Sequence, residues 1–248
     1  MKDATVIYLY HDLGVSMESV AHTVHAFRLI NNSMTIKSIT AKEIIQGNWM
    51  KDATLLIIPG GADRYYAKNL NGYGNARIKE YVASGGRFLG ICAGGYYGSA
   101  FVEFDKNGPL EVIGTRELNF FPGKAVGPAC APYDYLSKIG ASAQEISTTL
   151  IDSKKTVIFY NGGAFFENAD RIANTKVIGW YQNHRPAIVL VNHFKGKVLL
   201  SGVHVEYQAD LLYSQDPYLK NIIPIIKKNE ATRHAFLIAL MQELGVIE

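Results

Sequence analysis

The chain has 248 residues, a formal net charge of +3, and 48% hydrophobic against 19% charged residues. That length suits one large domain or two small ones, with enough apolar content for a buried core. Basic residues gather only in the isolated pairs Lys154-Lys155 and Lys227-Lys228, which argues against a nucleic-acid groove. The two cysteines, Cys92 and Cys130, exclude a disulfide-dense scaffold, and without a CxxC spacing they do not suggest zinc.

The N-terminal stretch MKDATVIYLYHDLG has a short apolar run broken by His11 and Asp12. It is too short to span a membrane and has no small-residue cleavage site, so a cytoplasmic location without membrane contact is expected. Within it TVIYLY (5–10) reads as a buried strand. MESVAHTVHAFRLI (17–30) has helical spacing, with Val20, Val24, Phe27 and Leu29-Ile30 near one face and Ser16 as N-cap. MTIKSIT (34–40) reads as a strand, AKEIIQGNWM (41–50) as a short helix, and ATLLIIPGG (53–61) as an apolar strand ending in a turn. NARIKEYVASGG (75–86) is a helix closed by Gly85-Gly86, and RFLGIC (87–92) is the next strand. AGGYYGSAFVEF (93–104) is expected to start as a turn and continue as a helix.

The second half is richer in strand signals: QEISTTLI, KTVIFYNGGAFF, KVIGWYQ, PAIVLVNHF and GKVLLSGVHVE follow in close order, with a hairpin turn expected over 192–197. FFPGKAVGPACAPYD (120–134) reads as a loop, and NEATRHAFLIALMQELG (229–245) as a strong helix. With no repeat, low-complexity run or linker, residues 1–248 are expected to form one domain. Continuous apolar strands separated by helices indicate a parallel α/β sheet covered on both faces. In such sheets the chemistry collects beyond the carboxyl ends of the strands, which here are His11-Asp12, Pro59-Gly60-Gly61 and Cys92.

Gly90-Ile91-Cys92-Ala93-Gly94 has the pattern small-x-nucleophile-x-small. A nucleophile on a tight strand-to-helix turn needs glycine at its flanks, and the helix N-terminus favours a thiolate. The same amides can hold an oxyanion, with the Ala93 N–H as the natural first donor. The pentapeptide is equally compatible with a small buried thiol on a strand. A base is available in His204, read as lying at a strand end, with Glu206 two residues later on the same side to orient it. Taken alone, that histidine is an ordinary strand-end residue; paired with the turn it suggests a triad. Gly60 and Gly61 can present a second oxyanion amide, or form a tight turn and nothing more.

Two stretches are candidate pocket walls. In FYNGGAFF, Asn161, Gly162 and Gly163 can offer polar groups at the sheet edge and Phe165 and Phe166 can wall a pocket, or the stretch makes a simple β-turn. In ADRYYAKNLNGYGN, Asp63, Tyr65, Tyr66 and Asn71 can form a polar and aromatic rim, or belong to a helix start and loop. Tyr96 and Tyr97 are expected to flank the thiol, and His11 and Asp12 to line the crevice. No metal-ligand spacing is present, and no metal or cofactor is expected.

IIPGG, GICAGG and HVE together resemble the class I glutamine amidotransferase-like superfamily. The resemblance implies a flavodoxin-like three-layer α/β sandwich with a mostly parallel central sheet, extended here by extra β-strands from the second half. It implies a Cys92-His204-Glu206 triad, with oxyanion donors at Gly60, Gly61 and Ala93. The run from Pro59 to Ser99, with FYNGGAFF and GVHVE, is similar to the N-terminal domain of eukaryotic-type biotin-protein ligases. No Gly-Arg-Gly-Arg-type adenylate motif is found, so the chain is not expected to biotinylate. No synthetase accompanies it, and YNGGAFF stands where amidotransferases read glutamine, so glutamine specificity does not carry over. The expected function is a cysteine-dependent amide hydrolase or acyl-transfer enzyme acting at an amide or ester carbonyl of a small-molecule or amide-containing substrate. The alternative is a non-catalytic binding or regulatory module that keeps the pocket. No protein partner is indicated.

Overall fold

The computed structural model describes residues 5–248. Residues 1–4, the start of the stretch read as lacking a leader, lie outside the described residues. The first half alternates strands and helices: β1 (Val6–Tyr10), α1 (Met17–Ile30), β2 (Thr35–Ile39), α2 (Ala41–Gln46), β3 (Leu55–Ile58), α3 (Asp63–Leu70), α4 (Tyr73–Ala83), β4 (Arg87–Ile91) and α5 (Ala93–Tyr97). Ser16 caps α1 by accepting from the Ser19 amide, and a Thr40–Glu43 capping box starts α2.

Strands then dominate: β5 (Ser99–Phe104), β6 (Val112–Thr115), β7 (Phe121–Gly127), β8 (Ser142–Thr148), β9 (Lys155–Tyr160), β10 (Phe165–Phe166), β11 (Thr175–Tyr181), β12 (Pro186–His193) and β13 (Gly196–Ser201). Helices α6 (Ile222–Lys228) and α7 (Glu230–Leu244) close the chain.

The main sheet has the order β2-β1-β3-β4-β13-β12-β11-β8-β9. From β2 to β13 every pairing is parallel; from β13 to β9 every pairing is antiparallel. The second half thus extends a flavodoxin-like parallel sheet. β13 returns to pair with β4, which places the end of the late strand beside Cys92.

Strand alternation divides the core into two layers. Leu55, Ile57, Leu89 and Ile91 face α1 and α7, with Phe27, Phe236 and Leu240. Leu56, Ile58, Phe88 and Leu200 face α2 to α5, with Tyr66, Ile78 and Tyr97. On that second face lies a small sheet of order β10-β7-β5-β6, contributing Val102, Phe121 and Phe166 to the same cluster.

Two expectations are corrected here. Residues 99–104 form a strand, not a helix: Gly98 closes α5 after five residues, and its carbonyl takes the Phe120 and Phe121 amides, bringing β7 alongside β5. The stretch read as a loop over 120–134 contains β7; Pro122 falls where the β5–β7 register is interrupted, so its missing N–H breaks no ladder bond. The hairpin over 192–197 forms with Phe194-Lys195 at its tip. Helix α6 carries Pro224 in its first turn, where proline is tolerated.

The small sheet is anchored by Phe166, fully buried and edge-on to Phe121 at a centroid distance of 5.4 Å. Phe166→Ala is expected to cost about 3–5 kcal/mol of stability, read from urea unfolding.

Candidate functional site

Cys92 joins β4 to α5 with φ 51° and ψ −103°, outside the broad regions allowed to residues with side chains. The crowding around the turn shows why its neighbours are small. A Cβ on Gly90 would lie 2.3 Å from the Gly94 carbonyl oxygen, and one on Gly94 would lie 2.0 Å from that of Ile58. The Cys92 amide donates to Ser201 O at 2.8 Å, pinning the turn to the end of β13. The thiol is 8% exposed and donates to Asn161 O at 3.6 Å.

His204 lies past the end of β13 in an antiparallel bridge with Phe159, and Glu206 lies in the turn that follows. The turn still brings them together: His204 Nδ1 lies 2.9 Å from Glu206 Oε1. Both side chains are buried, Glu206 completely. Burial alone would lower the His204 pKa, but the Glu206 carboxylate and then Cys92 outweigh it and push it up to about 10. The thiol thus acts on the imidazole, by charge and by hydrogen bonding, while also reaching Asn161 O.

A residue that the sequence did not single out completes this group. Ser19, on the inner face of α1, donates to Glu206 Oε1 at 2.9 Å and accepts the Gly60 amide at 3.0 Å. The Gly60 N–H is thereby taken, which corrects its assignment to an oxyanion hole; what Gly60 supplies is space, since a Cβ there would lie 2.9 Å from His204 Cε1. Gly61 and Ala93 border the pocket beside Cys92, and Ala93, the first residue of α5, has no intrahelical partner for its N–H. His22 was also missed. It accepts the Gln208 amide at 2.9 Å and stacks on Tyr207, and burial pushes its pKa down to about 4 against the pull of Glu206. The only signal for Ser19 and His22 was polar residues on the apolar face of a helix.

Two cavities meet at Cys92. A small slot of about 30 Å³ is bounded by Tyr96, Val102, Phe104 and Val112. A broad groove of about 500 Å³ is bounded by Tyr65, Lys138, His204 and Tyr207. Gly61, Cys92, Tyr133, Tyr135 and Asn161 border both.

Of the predicted wall residues, Tyr65 lies in the groove, Tyr96 and Gly162 line the slot, and Asn161 borders both. Asp63 lines the slot, but its carboxylate is engaged by Arg116 at 2.7 Å. Burial raises the Asp63 pKa while Arg116 opposes the rise. Gly163 is not a wall: a Cβ there would lie 1.7 Å from Gly202 O, and its carbonyl accepts from Ala129 and Tyr160. Tyr66 and Tyr97 are core residues, bonded to Pro59 and Gly60 carbonyls and to Asn75 respectively. Asn71 caps α3 and bonds to Asn75. Asp12 accepts the Ala41 amide at 2.9 Å at the start of α2, and neither it nor His11 borders the two cavities. Among the described residues, no group of three or more His, Cys, Asp or Glu side chains is placed to hold a metal ion, and no helix is long and apolar enough to cross a membrane.

Fold and site together define an α/β protein with a cysteine turn facing a histidine–carboxylate pair. Residues 5–247 match the family model for the biotin-protein ligase N-terminal domain, and the chain belongs to that family. It is 35% identical over 246 residues to an uncharacterized protein of Chlamydia muridarum (strain MoPn / Nigg), covering 96% of this chain and 94% of that one. It is 34% identical over 218 residues to the biotin–protein ligase of Schizosaccharomyces pombe (strain 972 / ATCC 24843), covering 85% of this chain but 33% of the ligase. The chain therefore spans about a third of that relative. Among solved structures it is similar to a candidate GMP synthase protein from Thermoplasma acidophilum (TM-score 0.52, 11% identity, 93% of this chain and 98% of the other). It is also similar to a candidate ThuA-like protein from Bacteroides uniformis ATCC 8492 (TM-score 0.53, 11% identity, 95% and 97%). At those identities the likeness is one of fold.

Two outcomes follow from the buried network. Ser19→Ala leaves the Gly60 amide without its acceptor and Glu206 without one donor, and is expected to cost about 1–3 kcal/mol in urea unfolding. His22 binds its proton near pH 6.5 when unfolded and near 4 when folded. Stability should fall as pH drops through that window, with a shallower slope in His22→Gln.

Proposed function

We propose that the protein is a cysteine-dependent amide hydrolase or acyl-transfer enzyme using Cys92, His204 and Glu206. The observation that carries this is the conjunction of a strained cysteine turn with a buried imidazole held 2.9 Å from a carboxylate. A residue with φ 51° costs free energy that a purely structural thiol does not need, and a fully buried carboxylate is tolerated only where partners hold it.

The chemistry runs in two halves. The Cys92 sulfur, its proton passed to His204, attacks the carbonyl carbon, and the oxygen gathers negative charge facing the Gly61 and Ala93 amides. As the tetrahedral species collapses, the carbon–nitrogen bond breaks and His204 gives the proton to the departing amine. A thioester remains on Cys92. Water, or an acceptor amine in a transfer reaction, gives its proton to His204 and attacks the thioester. The carbon–sulfur bond breaks and the acyl product leaves. Glu206 holds the imidazole in orientation and stabilises its charged form throughout. Ser19 is a positioning residue: its contacts are with Glu206 and Gly60, not with the reacting atoms.

Biotin ligation forms no part of this proposal. The match to the yeast ligase covers a third of that enzyme, and the pocket around Cys92 lies within the span of the N-terminal family.

The test uses an activated acyl ester, 4-nitrophenyl acetate, with intact-mass detection of acylated enzyme. Acetylation should map to Cys92. Cys92→Ala should lose turnover by at least ~10³-fold, and Glu206→Gln, with the imidazole no longer charge-stabilised, by ~10²–10⁴-fold with the fold retained. Equal turnover in wild type and Cys92→Ala would remove the basis for the proposal.

A further inference from the structure

We infer that the site is built for amides with a short acyl group and a large amine: the slot takes the acyl chain and the groove takes the leaving group. This rests on the triad proposed above and adds the substrate class.

The position of His204 sets the direction of the leaving group. In the acylation step the imidazole returns a proton to the departing nitrogen, so that nitrogen and all it carries must lie on the histidine's side of the carbonyl carbon. His204 borders the groove and is not among the residues bounding the slot. The oxyanion takes a second direction, toward Gly61 and Ala93, and the sulfur a third. The remaining substituent of the tetrahedral carbon, the acyl chain, is left with the slot.

The two spaces differ greatly in size. In the same measure the slot has about 30 Å³ of free space against about 500 Å³ in the groove. A short acyl group therefore suits the slot better than a long one such as glutamyl. The walls are not soft: Phe104 lies edge-on to Tyr96 at 5.6 Å and to Tyr133 at 5.7 Å, and Tyr96 is tied to Gly162 O at 3.0 Å. The groove, at about 500 Å³, admits a drug-sized amine and offers both rings and charge, from Tyr65 and Tyr207 to Lys138 and Asp216.

The balance is that of hydrolysis. The thiolate forms a carbon–sulfur bond, the carbon–nitrogen bond breaks, and the amine leaves with the proton from His204. Water then supplies the oxygen of a short carboxylic acid and restores the thiol.

The experiment measures 4-nitroaniline release from N-acyl-4-nitroanilides bearing formyl, acetyl, butyryl and hexanoyl groups, with the γ-glutamyl anilide as a large-acyl comparison. Each rate is taken relative to Cys92→Ala. The expected result is kcat/KM highest for formyl or acetyl and lower by about tenfold or more for butyryl, which adds two methylenes to acetyl where one too many in a hydrophobic pocket already costs about that much. Val112→Ala, which removes a partly buried wall of the slot, should raise the butyryl-to-acetyl ratio several-fold. If Cys92-dependent release is equal or faster for hexanoyl or γ-glutamyl, the inference is overturned and the triad stands. If no anilide gives release above the Cys92→Ala background, the inference and the triad proposal fall together.

Discussion

The fully buried carboxylate of Glu206 is the interaction on which the site depends. A carboxyl group without water must be held by hydrogen-bond partners, and here Oε1 takes both the Ser19 hydroxyl and the His204 ring at 2.9 Å, while Oε2 is buried with no hydrogen-bond partner among the described residues. The first bond ties it to α1 and, through the Gly60 amide, to the turn after β3. The second fixes the imidazole beside Cys92. Three segments far apart in sequence are thus set by one oxygen atom. The pairing of β13 with β4 makes this geometrically available, because it carries the end of a late strand to the cysteine turn.

Much of the frame was legible in the chain itself. LLII and RFLGI are continuous apolar runs, and strands buried on both faces must be so. The turn at Cys92 announced itself by glycines, and their reason is now visible in the approach of Gly94 to Ile58 and of Gly90 to Gly94. SAFVEF was misread because a short apolar-polar mixture suits helix and strand alike; what decided it was a partner, β7, hidden in a segment whose Pro and Gly suggested a loop.

Within the site, the sequence located residue types but not their bonds. Gly60 and Gly61 are indistinguishable in IIPGG, yet Ser19 takes the amide of one and the other borders the pocket. Gly162 and Gly163 divide in the same way: one lines the slot, and the other is pressed against Gly202. The pairing of His204 and Glu206 was inferred from extended chain; His204 keeps a bridge to Phe159, and Glu206 reaches it from the turn that follows. Ser19 and His22 had no motif to mark them, since a polar residue on a helix's inner face becomes meaningful only when its long-range partner is known.

In the proposed reaction Glu206 and Cys92 together keep His204 charged, ready to give its proton to the leaving amine. Nitrogen-15 NMR of the histidine rings across pH tests it most directly. The His204 ring is expected to remain doubly protonated well above its ordinary 6.5, toward about 10, and to titrate lower in Cys92→Ala. A His204 ring that is neutral just above its ordinary value, and titrates identically in wild type and Cys92→Ala, would contradict it.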